Sequence, residues 1–508
     1  MRTVKTDVLI IGTGFGAAAP ALRLARAGFK VTMIEKGPRI DPERDFRQTS
    51  DPQYLLKYLH GLSSDRFSVT YAEALGGGSG FYEMVSLRAP SLVFDQEDRS
   101  GRRLWPSGLD RRALDPYYDI AEEMLHVTQI PPEQVPKTGL VFAMMMKNLG
   151  YSCDRARYAE RGCIGSGFCV TGCIYGAKQS LLLNYLPQAV AAGVTIETDL
   201  EALAVWPLLQ VQRTAHSGRL DAIPHRYEVR CRARTGAMQE RRYRAKILIL
   251  AGGTVGTAAL LLASRNELCL LSPHVGANIA FNGSVKVAGV LPDAFPDGDM
   301  FTGRTHPGMI SYQFLESHGI TVSAAKAMPL QLIAGTRLRM DGDPREPSWW
   351  GEAHVELMRQ LRRRVIALYA IGLTPPAARL ALVPGEKPRV ELDRDAQLEA
   401  YHDRTRDVLR SILTRNGCRL VDTQFVDRAG SPHEDFYFST AHQVGSCRMA
   451  DTKQHGVVDA AGEVFDYPGL YVSDGAAIPS SLAVNTSLTI LANAERVAAG
   501  MLRRYGAS

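Results

Sequence analysis

No stretch of the 508-residue chain is apolar for long enough to cross a bilayer, and no internal repeat or low-complexity tract interrupts it. Charge of one sign is scarce too. The 59 Lys and Arg against 53 Asp and Glu leave a net charge of +6, too little for the concentrated basic face of a nucleic-acid-binding protein. Of eight cysteines, Cys153, Cys231, Cys269, Cys418 and Cys447 follow no repeating frame, which argues against a disulfide scaffold and fits a reducing compartment. No apolar leader precedes the first candidate strand, so the expected location is the cytoplasm. The rest is ordinary for a folded protein, with 45% hydrophobic and 22% charged residues. The length exceeds what one core supports, so two or more units are expected, assembled in part from discontinuous segments.

Residues 6–37 spell a complete strand, glycine turn, helix and second strand. Val8, Leu9, Ile10 and Ile11 form the continuous apolar run of a parallel strand covered on both faces. Gly12 and Gly14 let the backbone turn tightly and approach a pyrophosphate, and the small Ala17 stands where the third glycine of such a cradle lets helix and strand pack closely. The helix N-terminus directs its unpaired N–H groups at the phosphates. Residues 31–34 supply the second strand, and Glu35 follows where a carboxylate accepts from ribose hydroxyls. Pro20 disfavours a helix interior, and its place near the helix start predicts that its missing donor is one of those left unpaired anyway.

Further along, residues 41–68 form a polar excursion, and Gly76-Gly77-Gly78-Ser79 makes a second glycine turn that suits close approach of main chain to a ligand. Residues 104–125 start helices twice, with Asp110 and Asp115 as N-caps and Pro116 at a first helical position. Residues 178–192 read as an amphipathic helix, 194–205 as a strand pair and 227–244 as a surface hairpin. A buried strand then runs into Gly252 and Gly253 and a helix, repeating the opening pattern. From 284 to 440 extended segments alternate with long helices, expected at 353–373 and 397–415. Residues 466–474 look like a last strand, and 485–503 like a closing helix.

These pieces resemble the glucose-methanol-choline (GMC) oxidoreductases, and within them the cholesterol-oxidase-related bacterial branch. The resemblance rests on Gly12-Thr-Gly14 with Glu35, on the turn at 76–79, on Ala251-Gly252-Gly253-Thr254, and on His442-Gln-Val-Gly-Ser-Cys-Arg-Met449 with residues 469–474 and Asn485. It implies an α/β fold. A Rossmann-like FAD-binding domain of 1–40, 68–100, 176–283 and 441–508 would be joined to a substrate domain of 101–175 and 284–440, built on a mainly antiparallel sheet covered by helices. It further implies FAD, with Gly12, Gly14, Gly16, Ala17, Glu35 and Lys36 at the ADP half, and Gly77, Gly78 and Ser79 along the pyrophosphate and flavin. Ala251, Gly252, Asp474 and Gly475 would complete the cradle, with Asn485 and Thr486 at the flavin ring. Where many relatives place an asparagine after the glycine turn, Glu83 and Met84 occupy the neighbourhood.

Oxidation of an alcohol needs a base for the hydroxyl proton and a donor that holds the same oxygen. His442 and Asn485 match the family's catalytic pair. A neutral imidazole accepts the proton, and the amide donates to the alkoxide as it forms. The substrate expected is a small alcohol, sterol-like, sugar or amino-sugar, with oxygen or another acceptor reoxidising the flavin. A flavin-retaining lyase or cyclase on the same scaffold is the alternative, because fold does not fix reaction. Cys163, Cys169 and Cys173 keep three positions of a four-cysteine run found in the related branch, with Ser166 in the other place, and no metal is expected there.

Overall fold

The computed structural model describes residues 3–49, 51–64, 66–208, 223–235, 239–326, 337–340, 351–383, 387–392, 395–424 and 438–506. Its centre is the strand Thr3–Ile11, in which Val8, Leu9 and Ile10 are fully buried, as a continuous apolar run requires of a strand covered on both faces. That strand pairs in parallel with Val31–Ile34 on one side and with Glu240–Leu250 on the other. The full order is Thr195–Glu197, Val31–Ile34, Thr3–Ile11, Glu240–Leu250, Tyr227–Ala233 and Leu200–Pro207. Glu240–Leu250 shares its outer edge between two partners. Its first half forms the hairpin with Tyr227–Ala233, while Leu248, Ile249 and Leu250 pair in parallel with the last strand, Leu470–Val472.

A second seven-stranded sheet is antiparallel throughout, in the order Arg337–Met340, Arg419–Gln424, Val285–Val290, Val365–Gly372, Ile320–Ala325, Met309–Ser311 and Asp154–Arg155. Successive side chains alternate between its faces. Val285, Val287, Ile366, Leu368, Ala370, Val322 and Ala324 share one face and pack into the core with Leu409 and Leu413 of the helix Ala396–Arg415. Lys286, Tyr369 and Ser323 are register partners on the opposite face. A third, small sheet pairs Phe438–Thr440 in parallel with Phe67–Ala72 and so delivers the segment before His442 next to the second glycine turn.

Several expectations are corrected. Pro20 is the sixth residue of the helix Phe15–Arg26, inside it rather than among its unpaired donors. The carbonyl that a residue-20 N–H would bond, that of Gly16, instead accepts from the buried Ser473 hydroxyl at 2.7 Å. Residues 353–373 are not one helix. The helix is Glu352–Arg363, after which Arg364 ties the chain to the carbonyls of Leu291, Pro292 and Phe295, and β-branched Val365 and Ile366 open a central strand.

Asp115 does not cap a second helix. Asp110 caps Arg111–Met124 through Ala113 N–H, and buried Leu114, Tyr118 and Ala121 carry one apolar stripe through Pro116. Of 178–192 only Tyr185–Ala191 is helical, because the Lys178 ammonium is held by carbonyls of two other loops and Asn184 starts the helix. The strands Thr195–Glu197 and Leu200–Pro207 both form but stand at opposite ends of the strand order instead of pairing.

Replacing Ser473 by Ala strands the buried Gly16 carbonyl and is expected to destabilise the protein by about 1–3 kcal/mol in chemical denaturation. The loss should shrink in a Pro20→Ala background, where an N–H can return; equal losses in both backgrounds would refute the coupling.

Candidate active site

Three strand-to-helix turns converge with main chain pressed against main chain at Gly12 and Gly16. Gly12 has φ 102°, and a Cβ there would lie 2.2 Å from the Ala251 carbonyl oxygen; a Cβ on Gly16 would lie 2.5 Å from Asp474 Cα. The tightest approach of the first helix to a neighbouring turn thus falls at Gly16, while Ala17 is simply buried. Asp474 locks the junction. Its carboxylate accepts from Gly253 N–H (2.7 Å), the Thr257 hydroxyl (2.6 Å) and Ala476 N–H (2.8 Å), and burial raises its pKa to about 6. Gly475 packs against Thr254, whose hydroxyl donates to the Gln443 carbonyl at 2.6 Å and ties this junction to the residue after His442. The Gly252 N–H donates to Thr257 Oγ1 at 3.0 Å.

At the other end, Thr13 joins the first glycine turn to the second. Its hydroxyl donates to Glu35 Oε2 at 2.6 Å and accepts from Gly76 N–H at 2.9 Å. Glu35 also accepts from Gly37 N–H, and burial raises its pKa to about 7. Lys36 is held by Glu73 at 2.6 Å and Glu201 at 3.5 Å. The Ser79 hydroxyl is used within its own turn, donating to the Gly76 carbonyl (2.7 Å) and accepting from Leu181 N–H (3.2 Å).

The residues between these anchors fit FAD. Gly77 and Gly14 face each other across bare main chain, and a Cβ on Gly78 would meet nothing within 4 Å. Helix Phe15–Arg26 has no side-chain cap and no acidic residue in its first turn, so its N–H groups and dipole are open to a phosphate. The closing helix Ser487–Tyr505 begins at Thr486 and is likewise uncapped by any side chain, Asn485 included. By contrast, the helix Gly253–Ala263 receives Asp474 at its start. Gln443 Oε1, next to His442, is buried without a donor among the described residues.

His442 and Asn485 meet, with the Asn485 amide nitrogen 3.2 Å from His442 Nε2. Each is placed by a polar anchor that sequence reasoning missed. The His442 N–H donates to Thr440 Oγ1 at 2.9 Å. The loop carrying Asn485 wraps around Asn282, whose Oδ1 accepts from Leu482 and Ala483 N–H and whose Nδ2 donates to the Val484 carbonyl. Ala483 sits at φ 55°, a strained conformation for alanine, held also by the Thr321 hydroxyl on its carbonyl at 2.6 Å. Asn282 carried no signal beyond a polar residue after an apolar run.

Burial lowers the His442 pKa to about 4, so the imidazole is neutral at physiological pH. Burial pushes the pKa values of Tyr82, Glu83 and Tyr369 up and that of His442 down, yet all four keep part of their surface accessible. Glu83 and Lys286 act on each other electrostatically, each favouring the other's charged form against the effect of burial. Met84, beside Glu83, adopts φ 65° and is pinned by Ala159 N–H and the Ser86 hydroxyl on its carbonyl.

Phe314 packs edge-on against Tyr151 and His318, and Tyr312 packs, partly buried, against the core; Trp349 and Trp350 lie outside the described residues. All eight cysteines are free, and among the described residues no group of three or more His, Cys, Asp or Glu could hold a metal. The loop bearing Cys163, Cys169 and Cys173 is fastened to the second glycine turn by Lys178, which donates to the carbonyls of Gly80 and Cys169.

A nucleotide cradle beside a paired imidazole and carboxamide defines a flavoprotein oxidoreductase. The chain belongs to the GMC oxidoreductase family, whose N-terminal region matches residues 7–281 and whose C-terminal region matches 384–494. It is an FAD-dependent enzyme of the alcohol oxidase or dehydrogenase type. It is 28% identical over 559 residues to a cholesterol oxidase of Mycobacterium tuberculosis, covering 97% of this chain and 90% of that one. It is also 28% identical to paromamine 6'-oxidase of Streptomyces fradiae, covering 97% and 90%. The fold resembles that of pyridoxine 4-oxidase from Mesorbium loti at a TM-score of 0.66 and 15% identity, over 98% of this chain and 100% of the other. These relatives are oxidases, which goes against the lyase alternative. Among the described residues no helix is long and apolar enough to cross a membrane.

Gly16→Ala is expected to force the first turn away from Asp474 and to yield protein that retains little FAD, read as the ratio of visible flavin absorbance to protein. A full flavin complement in that variant would show that the contact is dispensable.

Proposed function

We propose that this enzyme oxidises a hydroxyl-rich small alcohol to its carbonyl, with His442 as general base and Asn485 as donor to the same oxygen. The observation that carries the reading is the 3.2 Å approach of His442 Nε2 and the Asn485 amide. When bound, FAD supplies the acceptor for the hydride that leaves the carbinol carbon, and oxygen or another acceptor removes the electron pair afterwards. His442 takes the hydroxyl proton on Nε2 as the C–O bond becomes a carbonyl. Asn485 offers an N–H to the oxygen while it carries charge and holds the ring edge in place beforehand.

Sterol, sugar and amino-sugar substrates remain the classes to compare, since cholesterol oxidase and paromamine 6'-oxidase are among the relatives. The neighbouring Lys286 and Tyr369, with Glu83 coupled to Lys286, favour a sugar or amino-sugar ring. Such a ring matches an acceptor, a cationic donor and an aromatic group, whereas a sterol would desolvate the two charges without pairing them. The two seven-stranded sheets support the division into FAD-binding and substrate-binding units set out above, and the eight free thiols support a cytoplasmic location.

Anaerobic mixing with glucosamine, glucose and cholesterol should bleach the flavin for the hydroxyl-rich probes and leave it unchanged for the sterol; the reverse ranking would refute the substrate class. His442→Ala should slow that bleaching by roughly 10²- to 10⁴-fold, and undiminished bleaching would remove His442 from its role. Because the folded-state pKa of His442 is depressed to about 4, kcat/KM should stay level from neutral pH down to about 5 and decline only as pH falls through 4. A decline already centred near ~6.5, the ordinary imidazole value, would contradict the buried, neutral base.

A further inference from the structure

Beyond His442 the same segment runs through Cys447 into Arg448, and there a separate pocket of about 150 Å³ opens between residues 102–107 and 448–455. Three guanidinium groups line it, with Trp105 and His455. Arg103 is spoken for, donating to the carbonyls of Phe94 (2.7 Å) and Leu109 (3.1 Å). Arg102 pairs with Asp98 and lies against His455, its Nη1 2.7 and 2.8 Å from the two ring nitrogens. Asp451, the carboxylate lining the pocket, accepts from both the N–H and the hydroxyl of Ser107 at 2.9 Å.

Arg448 is different. It is only 6% exposed, and its Nε donates to the His455 carbonyl at 2.9 Å, yet neither terminal nitrogen has an acceptor and no carboxylate lies at ion-pair distance among the described residues. Burial and the neighbouring Arg102 charge work against its ionised form, and Asp98, already paired with Arg102, offsets only part of this. A guanidinium that stays charged under those conditions, with its fork free and opening into a cavity, lacks an anion. The main chain around it is fixed, with Arg448 N–H on the Gly445 carbonyl and Val457 N–H on its own carbonyl, so the fork is held ready.

We propose that this pocket binds a tetrahedral oxyanion, a free phosphate or the phosphate group of a small ester, on the Arg448 fork with Arg102 alongside. The volume admits such a group and little more. Occupancy would be felt at the catalytic loop, because the pocket's Trp105 donates its indole N–H to Ser480 Oγ at 2.9 Å, five residues before Asn485.

The test uses FAD-loaded protein, so that the nucleotide cradle is already filled, and titrates inorganic phosphate, sulfate and glucose 6-phosphate against chloride at constant ionic strength. Calorimetry should find one saturable phosphate site, accompanied by a rise in Tm that chloride does not produce. Arg448→Gln should weaken that site by at least roughly tenfold and Arg102→Gln by less, while both keep wild-type flavin content and alcohol oxidation in phosphate-free buffer. If Arg448→Gln does not fold, Arg448→Lys serves, retaining the charge and losing the fork. Binding of glucose 6-phosphate as well as phosphate would identify the ester as a ligand; binding of phosphate and sulfate alone would assign the site to the free ion. No saturable response in the wild type, or one unchanged in the arginine variants, overturns the proposal.

Discussion

Backbone touching backbone is the constraint on which the rest of this molecule depends. The turns at 12–16, 251–253 and 474–476 approach so closely that a single methyl on Gly12 or Gly16 would occupy space already held by main-chain atoms. That contact places one uncapped helix start over the cradle, lets Asp474 fasten the neighbouring helix, and brings the tail of the chain against its beginning. Ser473 shows how closely the parts are matched, since it supplies from the far end of the sequence the donor that Pro20 withholds from the first helix.

The meeting of His442 and Asn485 depends on a second kind of constraint. A histidine and an asparagine held by flexible loops would meet only some of the time, and the chain avoids this by building stiff, strained supports. Asn282 satisfies three backbone groups of the loop before Asn485, Thr321 a fourth, and Ala483 is kept in a backbone conformation that it would leave if released. Preorganisation of this type lets hydrogen-bond donors act on developing charge without first having to reorient.

Much of the fold could be read before the structure. The cradle, the hairpin at 227–244, the strand into Gly252 and the closing helix are all set by local signals, either apolar runs or glycine at a turn. The misreadings have two causes. Pro20 and the stretch 353–373 are governed by distant partners, Ser473 and the Leu291–Phe295 carbonyls, which no window of neighbouring residues contains, whereas Pro116 is carried through by the local stripe of Leu114, Tyr118 and Ala121. His442 and Asn485 were legible through family resemblance, whereas Asn282, Thr13 and the row from Lys286 to Ser323 were not. Their importance is a matter of register and of which loop lies opposite.

The strand Leu470–Val472 completes the same sheet that Thr3–Ile11 begins. During synthesis the first nucleotide-binding strands therefore emerge long before one of the strands of their sheet exists, and the outer edge at 248–250 stays unpaired until residues 470–472 have left the ribosome. A complete cradle for the coenzyme thus waits on the translation of Asp474, the residue against which the turn at Gly16 is pressed.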